Sequence, residues 1–369
     1  MVECFNRTFL GPLTNVLKLY PRNALPATLM NLNPEGRDFE HKAADIILRD
    51  MINDVPGLVE SDRLIEGLLS ALVRRIERGL DDELNADVSG EDSNFFALPD
   101  LSDEEAMKLA PLLGGKAKNL VYLRNRGFLV PPGCVLSSLH TNQYRSYTEG
   151  PEFLSVLKQA VRNIEEQTGT IYGGNEKPLF LSVRSGSYAS MPGILSSLLY
   201  CGMNEQTIEA FIRNTGDARL AWDSYRRFME HYGMVVLGLE SSLFESIRDA
   251  FSKKQGAADG DALGPDRLKE LTGLYNEELS RRGLRIPGDV YEQLRLSIQA
   301  VYASWFSERA GQFRKATALS SRWGTAVALM QMVYGNTAGS GTSVLFTRNP
   351  FTYEQEVYGR SFDEHKGED

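Results

Sequence analysis

The sequence predicts an α+β fold, and three observations carry that reading. Leu179-Phe180-Leu181-Ser182-Val183 is a short apolar, β-prone run, preceded by Pro178 and closed by Arg184 and small residues. Residues 205–306 read as successive amphipathic helices with Gly- and Pro-marked breaks. After Trp323 the pattern turns back to β, with an apolar run at 325–334, a Gly335-Asn336 turn signal and a second run at 342–347.

Composition bounds what such a fold can do. The 369 residues suffice for two or three domains at roughly 100–200 residues each. Apolar residues at 42% and charged residues at 24% describe an ordinary globular chain. Forty basic residues against 49 acidic ones leave a net charge of -9, which argues against general affinity for nucleic acid or an anionic membrane. Cys4, Cys134 and Cys201 are scattered without CxxC spacing, so a reducing compartment and no zinc site are expected. The first residues lack a basic segment followed by an apolar core, and no run reaches the roughly 18 apolar residues of a membrane helix. The expected location is the cytoplasm.

Residues 1–100 form the first segment. Two amphipathic helices are expected there, at 39–53 and 61–84. In the second, Leu64, Leu68 and Leu72 share one face with Ile65, Leu69, Val73 and Ile76, while Arg74, Arg75 and Arg78 take the other. Such a pair serves either as a helical cap on the next domain or as a partner-binding surface. The polar stretch 85–94 is the linker that follows.

Ser102-Asp103-Glu104-Glu105 is a capping box, so a helix starts there and runs to Gly114-Gly115. Lys116 comes next, at the head of a second helix over 117–126. A phosphate-binding P-loop is excluded, because Ala110 stands at its first glycine and Ala117 where Ser or Thr is required. A lysine after two glycines at a helix start can still meet a phosphate, the alternative being a solvated lysine. Pro131-Pro132-Gly133 turns the chain into a strand ending near Ser137, and 151–168 is helical.

Arg184 then leaves the apolar strand beside two small-residue stretches, Ser185-Gly186-Ser187 and Ser190-Met191-Pro192-Gly193. A fixed cation next to loops that let backbone approach a ligand is what a polyphosphate needs. The competing reading is a salt-bridged arginine before a plain loop.

Helices are expected at 205–213, 218–232 and 241–251, a Gly-rich linker at 255–266, and further helices at 267–282 and 290–306. Adjacent in sequence, Arg226 and Arg227 point to different faces of their helix. In the last segment, Arg348-Asn349-Pro350 breaks the second strand and 353–358 is a third.

Several of these stretches together are similar to one family. SVRSG followed by SMPG resembles the nucleotide-binding domain of pyruvate, phosphate dikinase, and the likeness continues through AWDSYRRFMEHYG (221–233), WGTAVALMQMVYGN (323–336) and SGTSVLFTRNP (340–350). Upstream it takes in LLGGKAKNLVYLRNRGFLVPPG (112–133), so that it covers about residues 106–360. The resemblance implies an ATP-grasp fold, in which two α+β lobes close on ATP. The expected segments are the helical extension (1–100), a first ATP-grasp subdomain (101–204), a mainly helical subdomain (205–310) and a β-rich, incomplete second lobe (311–369). Lys116 matches the family's phosphate-contacting GGKG lysine, although Ala117 replaces the glycine after it. Arg227 matches a nucleotide-contacting arginine. Lys116, Arg184, Ser190, Met191, Pro192, Gly193 and Arg227 are therefore the expected ATP site, with Lys116 and Arg184 acting on the phosphates.

The family is a kinase-type phosphotransferase that uses ATP and Mg²⁺ to phosphorylate a carrier histidine. Here the sequence departs from the pattern. Where the family continues with YGEYL and AQGED, this chain has Tyr358-Gly359-Arg360 and then Lys366-Gly367-Glu368-Asp369. Arg360 stands at the metal-binding glutamate and Lys366 at the glutamine, which leaves the metal ligands unknown, with Asp363 or Glu364 as substitutes. His41, His140, His231 and His365 lie outside any TxH carrier loop, and no pyruvate-binding barrel follows. The chain is thus expected to perform the nucleotide half of such a cycle, as a fragment or beside a separate phosphohistidine carrier domain. The rival readings are a non-catalytic ATP-binding or regulatory module and a helical scaffold.

Overall fold

The computed structural model describes residues 95–363 apart from residues 190, 192, 256–262, 318, 320, 338, 350, 351 and 353. The expected helices of the 1–100 extension lie outside the described residues, as do most of the 255–266 linker and the Lys366 to Asp369 stretch.

Two compact units make up the chain, Met1–Ser89 with Gln312–Arg322, and Gly90–Gly311 with Trp323–Asp369. In the second unit the elements run β1 (Phe95–Ala97), α1 (Asp103–Lys108), α2 (Ala110–Asn125), β2 (Gly133–Leu136), α3 (Tyr144–Glu149), α4 (Phe153–Thr168), β3 (Ile171–Tyr172), β4 (Pro178–Leu179), β5 (Leu181–Gly186) and β6 (Ser197–Cys201). Helices α5 (Glu205–Thr215), α6 (Ala218–Val235), α7 (Ser241–Gln255), α8 (Pro265–Arg281) and α9 (Val290–Ser304) follow, then α10 (Glu308–Ala316), whose last turns belong to the first unit. There Thr317 Oγ1 donates to the Phe313 carbonyl at 2.7 Å. Strands β7 (Ala326–Gln331), β8 (Gly341–Phe346) and β9 (Tyr358–Asp363) complete the second unit.

The helices start where side chains can satisfy their first N–H groups. Ser102 and Glu105 exchange the expected capping-box bonds at α1. Asn204 caps α5, Asp217 caps α6 and Asp289 caps α9, each accepting from the backbone N–H three residues on. The helix expected from Ser102 to Gly114 instead breaks at Leu109, because Pro111 belongs in a first helical turn.

One mixed-length antiparallel sheet, in the order β1-β2-β7-β5-β6, carries the fold. One of its faces packs on α4 and α9 through a large core that includes Leu157, Val183, Leu198, Ile298 and Val301. The other face packs on α1 and α2 through Leu113, Ala117, Val121, Val135, Ala326 and Ala328. The large core also takes in Phe228 and Met229 of α6 and Leu271 and Tyr275 of α8.

Two strand expectations are corrected. The 325–334 run does not form a hairpin with 342–347 across Gly335-Asn336. Residues 326–330 are all buried, and β7 is hydrogen-bonded on both edges, to β2 and to β5, so neither edge is open to β8. β8 pairs with β9 instead. The third strand begins at Tyr358 rather than at residue 353. A turn holds the chain before it, with the Asn349 N–H donating to the Glu354 carbonyl at 3.1 Å and Asn349 Nδ2 donating to Glu356 Oε1 at 2.7 Å.

Candidate functional site

Arg184 lies inside β5 rather than at its end. Pairing with β7 continues past it, through Ser185 opposite Val327 and Gly186 opposite Ala326, because small residues on both strands keep the backbones in register. Arg184 itself stands between Ala328 on β7 and Ser197 on β6. Directly paired residues of antiparallel strands share a face, so Arg184 shares one with Ala328 and with Val135 of β2. That is the face covered by α2. The Arg184 side chain is exposed beyond the helix.

Lys116 reaches the same place from above. Gly114 interrupts α2 with φ 78° and ψ 162°, and the helix resumes at Gly115. A Cβ on Gly114 would collide with the Gly186 carbonyl, so the turn presses directly on β5. The Gly115 N–H donates to the Ser187 carbonyl at 3.1 Å, so one N–H of this helix start serves the β5–β6 loop and not an incoming ligand. Lys116 is exposed along much of its length, and its Nζ donates to the Ser185 carbonyl at 3.2 Å. Its pKa is lowered, first by burial and then by the charge of Arg184. Among the described residues, neither cation forms an ion pair with a carboxylate. Two like charges held together without a counter-ion make a place where an anion is stabilised.

The β5–β6 loop borders this pair. Met191 is buried, and its carbonyl accepts from the Ile194 N–H at 3.3 Å across a turn in which Gly193, exposed, has φ 65°. Ser190 and Pro192 lie outside the described residues. On β6, Leu199 and Tyr200 together stand opposite Ser182, a bulge that leaves Tyr200 with φ 62° although its side chain is 1% exposed.

Arg227 lies on α6. Its Nε donates to Asp223 Oδ2 at 3.0 Å, and its charge is felt at the buried Tyr200 phenol, whose pKa rises chiefly through burial. Arg226 faces inward, as the adjacent spacing requires, and is 4% exposed. Lys116 thus has Arg184 as an electrostatic neighbour, and Arg227 has Asp223 and Tyr200 among its own. The structure unites the first pair and sets Arg227 on the helix flanking β6.

Sequence reasoning did not single out Asp223 or Tyr200, and it took Gly186 for a loop residue rather than part of β5. Asp223 was detectable, since it lies three and four residues before the two arginines, the spacing at which helix side chains meet. The strand pairing of Gly186 and the bulge at Tyr200 are decided by distant partners and carried no local signal.

Among the described residues no helix is long and apolar enough to cross a membrane, and no group of three or more His, Cys, Asp and Glu side chains could hold a metal ion. Arg360, exposed on β9, pairs with Val344. Asp363 ends the same strand, and Glu364 lies outside the described residues.

Comparison with known proteins agrees with the motifs. The chain is similar to pyruvate, phosphate dikinase of Rhizobium meliloti, 39% identical over 263 residues, which is 70% of this chain and 29% of that protein. It is 37% identical over 276 residues to pyruvate, phosphate dikinase of Clostridium symbiosum, covering 72% of this chain and 31% of the relative. The chloroplastic enzyme of Mesembryanthemum crystallinum is 39% identical over 265 residues, 70% of this chain and 28% of the relative. The chain therefore spans less than a third of the length of these relatives. The family model "Pyruvate phosphate dikinase, AMP/ATP-binding domain" matches residues 141–364, a span that holds Arg184, Met191, Gly193 and Arg227 but not Lys116. The chain belongs to the pyruvate phosphate dikinase AMP/ATP-binding domain family.

Proposed function

We propose that this chain is an ATP-grasp-type ATP-binding module of a phosphotransferase, which uses ATP with Mg²⁺ to phosphorylate a carrier histidine supplied outside it, in the cytoplasm. The observation that carries the reading is the pair Lys116 and Arg184, without a carboxylate partner among the described residues and brought by α2 and β5 to one face of the sheet. In this proposal both cations bind the phosphates. Ser190, Met191, Pro192 and Gly193 supply the loop that approaches the nucleotide, and Arg227 adds a third cation from α6. Phosphoryl transfer needs this kind of positioning and charge stabilisation more than it needs covalent chemistry from the protein. The described residues show no carboxylate cluster for Mg²⁺, so no step is assigned to the metal.

Titration calorimetry with ATP tests the reading. Arg184→Ala removes a charge-assisted contact worth on the order of 1.5–3 kcal/mol. Affinity should fall roughly 10- to 150-fold, at tenfold per 1.4 kcal/mol. Unchanged affinity in a folded variant would remove Arg184 from the site.

A second reading, an ATP-binding module without phosphotransfer, is favoured by Arg360, a cation on β9 where the family pattern leads to a metal-binding glutamate. Arg360→Glu distinguishes the two. If Arg360 alone has ended the chemistry, the variant gains Mg²⁺-dependent ATP turnover in the presence of a carrier domain. If the native chain already turns ATP over with that domain, the inert reading is lost.

A further inference from the structure

Five side chains from two helices form one polar chain that ends at Arg227. Tyr275 of α8 donates its hydroxyl to Glu230 Oε1 at 2.7 Å. Glu230 accepts Nη1 of the buried Arg226 on both carboxylate oxygens, at 2.9 and 3.0 Å. Arg226 gives Nε and Nη2 to Asp223 Oδ1, at 3.0 and 2.7 Å. Asp223 turns its other oxygen, Oδ2, to Arg227 Nε at 3.0 Å. Arg248 of α7 approaches Glu230 at 3.6 Å. One carboxylate thus divides its two oxygens between an arginine that is 5% exposed at its side chain and one that is 26% exposed. The inner arginine anchors Asp223 to the core, and Asp223 passes that fixity outward.

We propose that Asp223 is a positioning residue for nucleotide binding, holding the Arg227 guanidinium in its binding orientation by accepting from Nε. This rests on the assignment of Arg227 to the ATP site. An arginine on a long side chain must lose rotamer freedom when it grips a phosphate, and a partner that fixes it beforehand lowers that cost. Bonding at Nε also selects the edge of the guanidinium plane that turns toward α6, which a charge elsewhere nearby would not do. Glu230 serves a different end. It satisfies Arg226 and, by accepting from Tyr275, ties α6 to α8.

The test is ATP titration calorimetry with thermal melting on the full chain for Arg227→Ala, Asp223→Asn, the double variant and Glu230→Gln. Asp223→Asn should weaken ATP binding roughly 3- to 10-fold, the range of coupling between residues in one network, with no further loss when Arg227 is already alanine. Glu230→Gln should melt earlier, as Asp223→Asn does, while its ATP dissociation constant stays within about twofold of the native value. Native affinity in Asp223→Asn, or losses that multiply with Arg227→Ala, would overturn the proposal. Native affinity in Arg227→Ala would instead remove Arg227 from the site and the proposal with it. Should Asp223→Asn fail to fold, Asp223→Glu keeps the charge but shifts the carboxylate by one methylene, and an undiminished affinity there would overturn the proposal equally.

Discussion

Gly114 lies directly against the carbonyl of Gly186, the two glycines bringing the turn of α2 onto β5 with no side chain between them. The contact sets the height of Lys116 over the strand. It is asymmetric: a Cβ on Gly114 would strike backbone and adopt a left-handed conformation, whereas one on Gly186 would meet Leu113 O at 3.4 Å and Ala326 Cβ at 3.9 Å, ordinary contact distances. Gly114→Ala should therefore destabilise by at least about 2 kcal/mol, conformational strain and collision adding, while Gly186→Ala should cost less than about 1 kcal/mol. Urea unfolding of both variants checks the order. Equal midpoints would show that the turn can move without consequence.

Lys116 should make ATP affinity pH-dependent on the alkaline side. Burial and the Arg184 charge both favour its neutral form, so it loses its proton below the ordinary lysine pKa of about 10.4. Affinity should fall as pH rises from about 7.5 toward 10, and Lys116→Arg, charged throughout, should flatten that limb. Arg184→Ala should move the limb to higher pH, because one cause of the shift is gone. Calorimetric titrations across this range decide. A limb unaffected by Lys116→Arg would assign it to another group.

Acid should destabilise the fold through His140. Its ring stacks on Tyr147 at 3.6 Å, both ring nitrogens are buried without a hydrogen-bond partner among the described residues, and burial lowers its pKa from 6.5 to about 4. The unfolded chain holds this proton between pH 6.5 and 4 and the native chain does not, so stability falls as pH drops through that window and is independent of this group above it. The slope from this one site is at most about 1.4 kcal/mol per pH unit. His140→Phe keeps the stack and should remove that part of the acid slope in chemical denaturation. Identical slopes in the two proteins would contradict it.

The purified 369-residue chain is expected to make no phosphoenolpyruvate from pyruvate, phosphate and ATP. Of the histidines described, His140 holds both ring nitrogens buried in its aromatic stack and His231 lies within α6, so neither is presented in a loop for phosphoryl relay. An assay for AMP and phosphoenolpyruvate is the check. Sustained phosphoenolpyruvate formation by the chain alone would contradict the module reading, whereas AMP appearing only on addition of a histidine carrier domain would support it.

What the sequence made legible was local. Helices α5, α6 and α9 announce themselves through Asn204, Asp217 and Asp289, whose capping oxygens act within three residues. The α+β class followed from the same kind of signal, and so did the opposed faces of Arg226 and Arg227. Pairing was not legible, because it is decided between distant residues. Arg184-Ser185-Gly186 reads as a loop by composition and is a strand only because Ala326 to Ala328, more than 100 positions away, lies beside it. The Gly335-Asn336 dipeptide is a hairpin signal whose strand had already filled both edges elsewhere. In the candidate site, Lys116, Arg184 and Arg227 stood out as cations beside glycines or within family motifs, while Asp223 gave only a weak signal, because a carboxylate three or four residues before an arginine is common on helices.

The place of β7 at the middle of the sheet has a consequence for how the chain reaches its native state. Until residues 326–331 arrive, β1–β2 and β5–β6 are two separate ribbons, each with an open edge of unpaired N–H and C=O groups. The closing strand comes about 140 residues after β5 and 190 after β2, so the sheet is sealed late and at a large cost in loop entropy. During synthesis on a ribosome the emerging chain therefore exposes both ribbons for the time needed to make α5 to α10, which makes this interval the one in which chaperones would be needed and strand-to-strand aggregation would begin.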